Sequence, residues 1–291
     1  MASRDMRHLW IFGGILSLGA LFALFQHHQG TLLLVLLAIL LAPFVILALM
    51  VGYFMLPPPP DDIIPEDKRP ARLGRAWMWF AAMAAAAVFF LMFPHLDMSV
   101  AEGYYLGHNQ FIGTTELGKF GRAFGNVTPF LVLAYIVFAW VAARFGRPWA
   151  YRPSGRDAAF VVLAMALGPG LLVNLAMKDH LHRPRPVQVQ QLGGMWAFKP
   201  FYEFNGQCHR NCSFPSGEGS EAFFMLAPAS LVPPPLRGEA VAAAVAFGLF
   251  TSLLRLSFGG HFLSDITFAA IITWGLIMLL RWVLYERRPF G

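Results

Sequence analysis

The residues best suited to chemistry lie in one short stretch, Arg255 to Asp265, which reads RLSFGGHFLSD. If a helix begins near His261, that histidine and Asp265 are four residues apart and share one helix face. The carboxylate then binds one imidazole nitrogen and leaves the other free, which makes a histidine basic or nucleophilic. The stretch predicts a histidine activated for group transfer.

The same stretch has the features of an anion site. Gly259 and Gly260 have no side chains, so an anion can approach the backbone there. Arg255 carries a planar guanidinium whose N–H donors match the oxygens of a phosphate group. The structural alternative is an arginine that extends to a membrane surface beside a flexible turn and a helix-start acid.

Apolar runs surround this stretch and indicate a membrane protein. The chain of 291 residues is 57% hydrophobic and 13% charged, about half the charge of a typical soluble domain. Runs near the roughly 20 residues that cross a bilayer occur at 9–26, 31–55, 76–93, 128–143, 158–177, 218–232, 239–256 and 262–284. The predicted fold class is all-α, a polytopic membrane helix bundle.

Three segments make up the predicted organisation. Residues 1–55 form an N-terminal transmembrane hairpin, and residues 56–75 form a cytoplasmic linker rich in proline and acidic residues. Residues 76–291 form a six-helix core. Between its first two spans, the aromatic and cationic segment 94–127 suits a helix that lies in the headgroup layer, and an ordinary interfacial loop is the alternative.

The net charge of +6 is explained by membrane orientation. With the N-terminus in the cytoplasm, every inner loop carries lysine or arginine, as the positive-inside rule requires. Nucleic acid is therefore not an expected partner, and both termini are cytoplasmic. Some cations fall on the outer side and break this rule, so they need another explanation. These are Lys119, Arg122, Lys178, Arg183, Arg185, Lys199, Arg210 and Arg255.

Three polar clusters, residues 178–186, 214–218 and 255–265, fall on the outer side in this orientation. Ionisable groups at a membrane edge are costly enough to be functional by default. Ser216 and Gly217 at a helix start would offer backbone N–H groups to an anion. The lysine and arginines of the three clusters would neutralise a phosphoryl group during its transfer.

Together, the clusters resemble the three-part signature of the type 2 phosphatidic acid phosphatase superfamily. The matching motifs are, in chain order, Lys178-x6-Arg185-Pro186, Pro215-Ser216-Gly217 and Arg255-x5-His261-x3-Asp265. The resemblance implies a six-helix core and metal-independent hydrolysis of phosphate esters. It implies His261 as the nucleophile of a phosphohistidine intermediate, Asp265 as its orienting acid, and a phosphate site formed by Lys178, Arg185, Ser216, Gly217 and Arg255.

Two positions depart from the family pattern. Leu254 stands where the family has a serine, so one hydroxyl donor is missing. Glu218 stands where the family has the histidine that protonates the leaving oxygen. Because burial and a neighbouring anion both raise the pKa of a carboxyl group, we expect Glu218 to keep a proton and act as the general acid. The alternatives are an ion pair of Glu218 with an arginine of the first cluster, and proton donation by His180 or His182.

The sequence Asn211-Cys212-Ser213-Phe214 before the second motif, with Glu218 after it, is similar to the branch that includes bacterial lipid A 4'-phosphatases. That branch implies a lipid A phosphate monoester in the periplasmic leaflet of an inner membrane as the substrate. Undecaprenyl diphosphate and glycerophospholipid phosphates remain open. So do transfer of the phosphoryl group to a second lipid and a non-catalytic lipid-phosphate binder or transporter. Oligomeric state is not predicted.

The only two cysteines, Cys208 and Cys212, lie in the outer loop between the first two motifs. In an oxidising periplasm we expect them to form a disulfide. Free thiols are one alternative, and a zinc site with His209 is another that would lack ligands. No metal or other cofactor is expected, because the outer side lacks the clustered carboxylates of a two-metal phosphatase.

Overall fold

Residues 48–50, 76–146 and 151–286 are described by the structure, a computed structural model. The chain divides into two compact units, residues 1–47 and 48–291, and all described residues belong to the second. The predicted hairpin at 1–55 and linker at 56–75 therefore lie outside the described residues, apart from residues 48–50, and stay predictions.

Helices dominate the described part of the chain. In chain order they are α1 (Ala76–Met92), α2 (Leu96–Glu102), α3 (Glu116–Arg144), α4 (Gly155–Met165), α5 (Gly217–Phe223), α6 (Leu226–Leu231), α7 (Pro234–Ser257) and α8 (Leu263–Arg281). π-Helical turns extend α4 through Ala166–Met177 and α8 through Trp282–Glu286. Short 3-10 turns occupy Ile112–Thr114, Pro186–Gln188 and Gln190–Leu192. The described strands, β1 (Tyr105–Gly107) and β2 (Gln110–Phe111), pair antiparallel between α2 and α3.

Four described helices are long and apolar enough to cross a membrane. They are Glu116–Arg144, Gly155–Met177, Pro234–Ser257 and Leu263–Tyr285. α1 and α2 meet at a bend of 78° and together make a fifth candidate. These helices confirm the predicted all-α membrane helix bundle.

The predicted span 218–232 is divided into α5 and α6, with a turn at Phe224 and Met225. Pro228 explains the break. Proline has no N–H to bond with the carbonyl of residue 224, and its ring clashes with that carbonyl. α6 then ends at Leu231, just before the prolines that open α7.

The helix predicted at 128–143 begins much earlier, at Glu116. Thr115 caps it, since its hydroxyl accepts a hydrogen bond from the N–H of Gly118. Hydrophobicity alone missed these first turns because Glu116, Lys119 and Arg122 interrupt the apolar run. Residues 116–127, the last third of the segment 94–127, are therefore the first part of α3.

Small residues let the helices approach each other closely. A side chain added at Gly125 of α3 would lie 2.9 Å from the hydroxyl of Thr251 in α7, so the start of α3 packs against the end of α7. At the other end of the bundle, the hydroxyl of Tyr285 donates to Asp157 of α4 at 2.7 Å. Of the four long helices, α3 and α8 therefore begin at the end where Gly125 meets Thr251, and α4 and α7 finish there. We call the end that holds the start of α3, the end of α7 and the start of α8 the site end.

Candidate active site

His261 lies between α7 and α8 at the site end, with 1% of its surface exposed. Its Nδ1 is 2.7 Å from the backbone oxygen of Ser213. Because a carbonyl oxygen only accepts hydrogen bonds, Nδ1 carries the proton and Nε2 keeps its lone pair. Burial, helped by the charges of Arg185 and Arg255, lowers the pKa of His261 to about 3. The ring is therefore neutral at physiological pH, with one nitrogen suited to nucleophilic attack.

Asp265 organises the loop that carries this histidine. The carboxylate lies in the first turn of α8 and accepts the backbone N–H of Phe262 at 2.7 Å. It also accepts hydrogen bonds from the hydroxyl of Ser213 and from Arg183. Its distance to His261 Nδ1 is 3.6 Å. The predicted pair of His261 and Asp265 is thus joined by Ser213, whose carbonyl contacts the ring and whose hydroxyl contacts the carboxylate.

Arg255 comes from the last turn of α7 and is buried. A side chain at Gly260 would place its Cβ only 2.2 Å from Nη2 of the arginine. The absence of a side chain at Gly260 is therefore what lets the guanidinium lie against the loop before His261.

Arg185 links the first cluster to the third. Its guanidinium donates to the backbone oxygen of Gly260 at 3.2 Å, next to His261. It also donates to the backbone oxygen of Asn211 at 3.0 Å and to its side-chain oxygen at 2.8 Å. Burial lowers the pKa of Arg185 below its usual value, and it remains a cation.

Lys178 lies against the start of α5. Its Nζ is 3.3 Å from the side-chain oxygen of Asn174 and would be 3.0 Å from a Cβ added at Gly217. Burial, reinforced by the charge of Arg185, lowers the pKa of Lys178 to about 8. The lysine is therefore charged at neutral pH but loses its proton within the range in which enzymes are assayed.

Ser216 connects α5 to α8. Its hydroxyl caps α5 by accepting the N–H of Gly219 at 3.1 Å. Its own N–H donates to the backbone oxygen of Asp265 at 3.2 Å. The first turn of α5, with Gly217, is thereby held beside the loop of His261.

Glu218 is paired with two arginines. Arg122 donates to both of its oxygens, at 2.6 and 3.1 Å, and Nε of Arg255 lies 3.3 Å from Oε2. Two adjacent guanidinium groups stabilise the charged carboxylate. The expectation that Glu218 keeps a proton is therefore wrong for this state of the protein, because ion pairing outweighs burial. The arginines also differ from those expected, which belonged to the first cluster.

Sequence reasoning missed Arg122 as a site residue. It lies on α3 and packs with its guanidinium 5.6 Å from the ring centre of Phe258. A signal was present, because Arg122 is one of the outer cations that break the positive-inside rule. The apolar pattern hid it, since that pattern did not show that α3 extends to Glu116.

Of the two histidines considered as alternative acids, His182 contacts the disulfide loop, and the backbone N–H of His180 donates to the backbone oxygen of Met177 at 3.1 Å. Nδ1 of His182 lies 2.8 Å from the backbone oxygen of Cys208. Cys208 and Cys212 form a disulfide with their Cα atoms 5.6 Å apart. The backbone N–H of Ser213, directly after the disulfide, donates to the backbone oxygen of Arg183 at 2.8 Å. The bridge thus holds the segment whose carbonyl contacts His261.

The three clusters meet at the site end. The contact between Arg185 and Gly260 joins the first cluster to the third, and the bond between Ser216 and Asp265 joins the second to the third. Lys178 lies against Gly217 and joins the first to the second. All the residues predicted for the site are therefore in one place.

Comparison with known proteins places the chain in a family. Residues 157–289, which contain all three clusters, match the PAP2 superfamily. The Lipid A 4'-phosphatase of Francisella tularensis subsp. novicida is 35% identical over 207 residues, which is 69% of this chain and 89% of that protein. The chain belongs to the PAP2 superfamily.

Further PAP2 relatives have the same name. The Lipid A 4'-phosphatase of Rhizobium etli is 34% identical over 211 residues, 66% of this chain and 78% of its own length. That of Rhizobium leguminosarum is 32% identical over 205 residues, 65% of this chain and 86% of its own length. No solved structure matches the chain significantly. The predicted superfamily and its lipid A 4'-phosphatase-like branch are confirmed, and this PAP2 protein is a phosphatase with membrane-spanning helices.

Proposed function

We propose that the protein removes a phosphate monoester from a membrane lipid, with lipid A 4'-phosphate as its substrate, at the periplasmic face of a bacterial inner membrane. The observation that carries the proposal is His261, with Nδ1 bonded to the carbonyl of Ser213, among cations from the first and third clusters. The names of the relatives support lipid A as the substrate. The orientation rests on the positive-inside rule.

The first half of the reaction forms a covalent enzyme. Nε2 of His261 attacks phosphorus, an N–P bond forms, and the bond from phosphorus to the lipid oxygen breaks. Lys178, Arg185 and Arg255 neutralise the charge on the phosphoryl oxygens. The Nδ1–H of the phosphohistidine keeps its bond to Ser213, and Asp265 compensates for the charge that develops on the ring.

The second half regenerates the histidine. Water attacks phosphorus, the N–P bond breaks, and inorganic phosphate leaves with the oxygen that water supplied. Removal of a proton from that water balances the proton that the lipid oxygen gained in the first half. The lipid chains stay in the bilayer throughout, because the site lies at the end of the helix bundle.

Glu218 is the proposed source of the proton for the leaving oxygen. A phosphate that binds Arg255 and Arg122 competes with the Glu218 carboxylate for the same donors. Once displaced, the carboxylate faces an anion instead of two cations, which raises its affinity for a proton. Substrate binding would therefore cause Glu218 to take up the proton that the leaving oxygen needs.

The decisive experiment offers the purified protein a panel of lipid A, undecaprenyl diphosphate and glycerophospholipid phosphates, with products weighed by mass spectrometry. We expect lipid A to lose about 80 mass units, which corresponds to the loss of one phosphoryl group, at the 4'-position. His261→Ala should abolish phosphate release. His209 is an exposed histidine at the same end of the molecule, and His209→Ala should leave phosphate release unchanged.

Two results would reject parts of this proposal. Unchanged phosphate release by His261→Ala would reject the nucleophile and leave a non-catalytic binder in contention. Release from another lipid of the panel alone would reject lipid A as the substrate. Adding an acceptor lipid separates hydrolysis from transfer, because transfer yields a phosphorylated acceptor in place of inorganic phosphate.

A further inference from the structure

Asp97 is a buried carboxylate that belongs to none of the three clusters. It lies in the first turn of α2 with 3% of its surface exposed, well before residue 157, where the superfamily match begins. A carboxylate is costly to bury unless it is ion-paired and hydrogen-bonded. Its contacts should therefore explain why it is there.

Both oxygens of Asp97 accept hydrogen bonds from residues around the active-site loop. Oδ2 accepts from Nη2 of Arg183 at 2.7 Å and from the hydroxyl of Ser264 at 2.6 Å. Oδ1 accepts the backbone N–H of Ser264 at 2.8 Å. Asp97 therefore holds both an arginine of the first cluster and the first turn of α8.

Arg183 binds two carboxylates at once. Nη2 contacts Asp97, and Nη1 contacts Asp265 at 2.5 Å. Its Nε donates to the backbone oxygen of Lys199 at 2.8 Å, and its guanidinium carbon lies 4.5 Å from the ring centre of Phe262. With 1% of its surface exposed, Arg183 is held on every side and transmits the position of Asp97 to Asp265.

We propose that Asp97 is a positioning residue for His261 and acts through Arg183 and Asp265. This inference rests on the proposed function, in which His261 is the nucleophile. Asp97 sets the guanidinium, the guanidinium sets Asp265, and Asp265 holds the hydroxyl of Ser213, whose carbonyl directs the imidazole. The described contacts of Asp97 go to this chain of residues and not to the phosphate-binding cations.

Asp97→Asn tests this chain. The amide keeps one acceptor oxygen but replaces the other with an NH2 group. This donor would face donors from which Asp97 now accepts hydrogen bonds, so Arg183 and the start of α8 must shift. A displacement of about 1 Å of a reacting group costs roughly 10²-fold in rate. We expect the rate constant of a single turnover, with enzyme in excess, to fall by this order, and inhibition by inorganic phosphate to stay within about 2-fold, because the phosphate-binding cations are untouched.

The single-turnover format separates positioning from loss of folded protein. Positioning lowers the rate constant and leaves the amplitude, whereas a damaged fold lowers the amplitude and leaves the rate constant of the surviving molecules. Glu102→Gln, at an exposed position of the same helix, is the control and should behave like the parent. If Asp97→Asn does not fold, Ser264→Ala decides, since it removes the hydroxyl that contacts both Asp97 and Arg183.

The inference is overturned if Asp97→Asn or, failing that, Ser264→Ala keeps the parental rate constant, or if the rate constant and the affinity for phosphate fall together. Its failure is distinguishable from failure of the proposed function. An inactive His261→Ala with a fully active Asp97→Asn rejects only the positioning role, whereas an active His261→Ala rejects the nucleophile itself.

Discussion

At the scale of single residues, the chemistry depends on which nitrogen of His261 carries the proton. The backbone oxygen of Ser213 decides this at 2.7 Å, and Asp265 acts at 3.6 Å and through the Ser213 hydroxyl. A carbonyl cannot take a proton from the ring as a base would, so Nδ1 stays protonated and Nε2 stays nucleophilic. The protonation states of the surrounding residues decide at which pH, and for which leaving groups, this arrangement is active.

Lys178 should give the enzyme an alkaline limit. Its pKa of about 8 means that its charge is present below that pH and is lost above it, so kcat/KM should fall as pH rises through this value. Lys178→Arg keeps the charge at all assay pH values and should move the limit upward. Lys199→Arg, whose lysine pairs with Glu203 at 2.9 Å, is the control. An identical pH profile for Lys178→Arg and the parent would contradict the assignment.

Glu218→Gln should affect substrates according to their leaving group. A lipid alkoxide needs a proton as it leaves, so we expect a loss of roughly 10²-fold or more in kcat for the lipid substrate. An aryl phosphate leaves without that help and should lose less than about 3-fold. Phosphate release from both substrates is measured with the same preparation. Equal losses on the two substrates would assign Glu218 to the arrangement of Arg122 and Arg255 instead of to proton transfer.

At the scale of elements, the site is built where helix ends pack against glycine residues, which leave room for the functional side chains. α3 and α7 approach through Gly125 and Thr251, which brings Arg122 beside Arg255 and Glu218. Lys178 and Arg255 each lie where a neighbouring glycine leaves room, at Gly217 and Gly260.

Gly260→Ala should weaken phosphate binding. Its Cβ would fall 2.2 Å from Nη2 of Arg255, so the guanidinium must leave its place. Losing one charge-assisted hydrogen bond costs about 1.5–3 kcal/mol, or roughly 10- to 100-fold in affinity. Inhibition constants for inorganic phosphate measure this effect. Gly103→Ala, where the nearest atom would be at 3.4 Å, should leave them unchanged, and parental inhibition in Gly260→Ala would show that the arginine does not bind phosphate.

At the scale of the whole molecule, α4 and α7 end where α3 and α8 begin, which places the three clusters at one end of the bundle. Of the cations predicted for the inner loops, those that the structure describes lie at the other end, and they are Arg144, Arg152, Arg156, Arg237 and Arg281. Under the proposed function, such a molecule acts on lipids of one leaflet, and its orientation decides which leaflet that is.

Single cysteines at the two ends test the orientation. In a Cys208→Ser, Cys212→Ser background, Met195→Cys and Phe145→Cys replace side chains that are 81% and 79% exposed, the first in the loop after Lys178 and the second at the far end of α3. A membrane-impermeant maleimide added to spheroplasts should label Met195→Cys, and should label Phe145→Cys only after permeabilisation. The reverse pattern would put the active site in the cytoplasm.

The sequence by itself determined the membrane bundle, the superfamily and the residues that converge on the site. Apolar runs and motif spacing are local properties, and His261, Lys178, Arg185 and Arg255 could each be named from them. Only the tertiary structure decided how these groups are paired. Arg122 and Asp97 lie far from the motifs in sequence, and the state of Glu218 depends on cations from other helices. Charge and hydrogen bonding depend on distance in space, which chain separation does not specify, so the partners of a buried ionisable group appear only when the helices are packed.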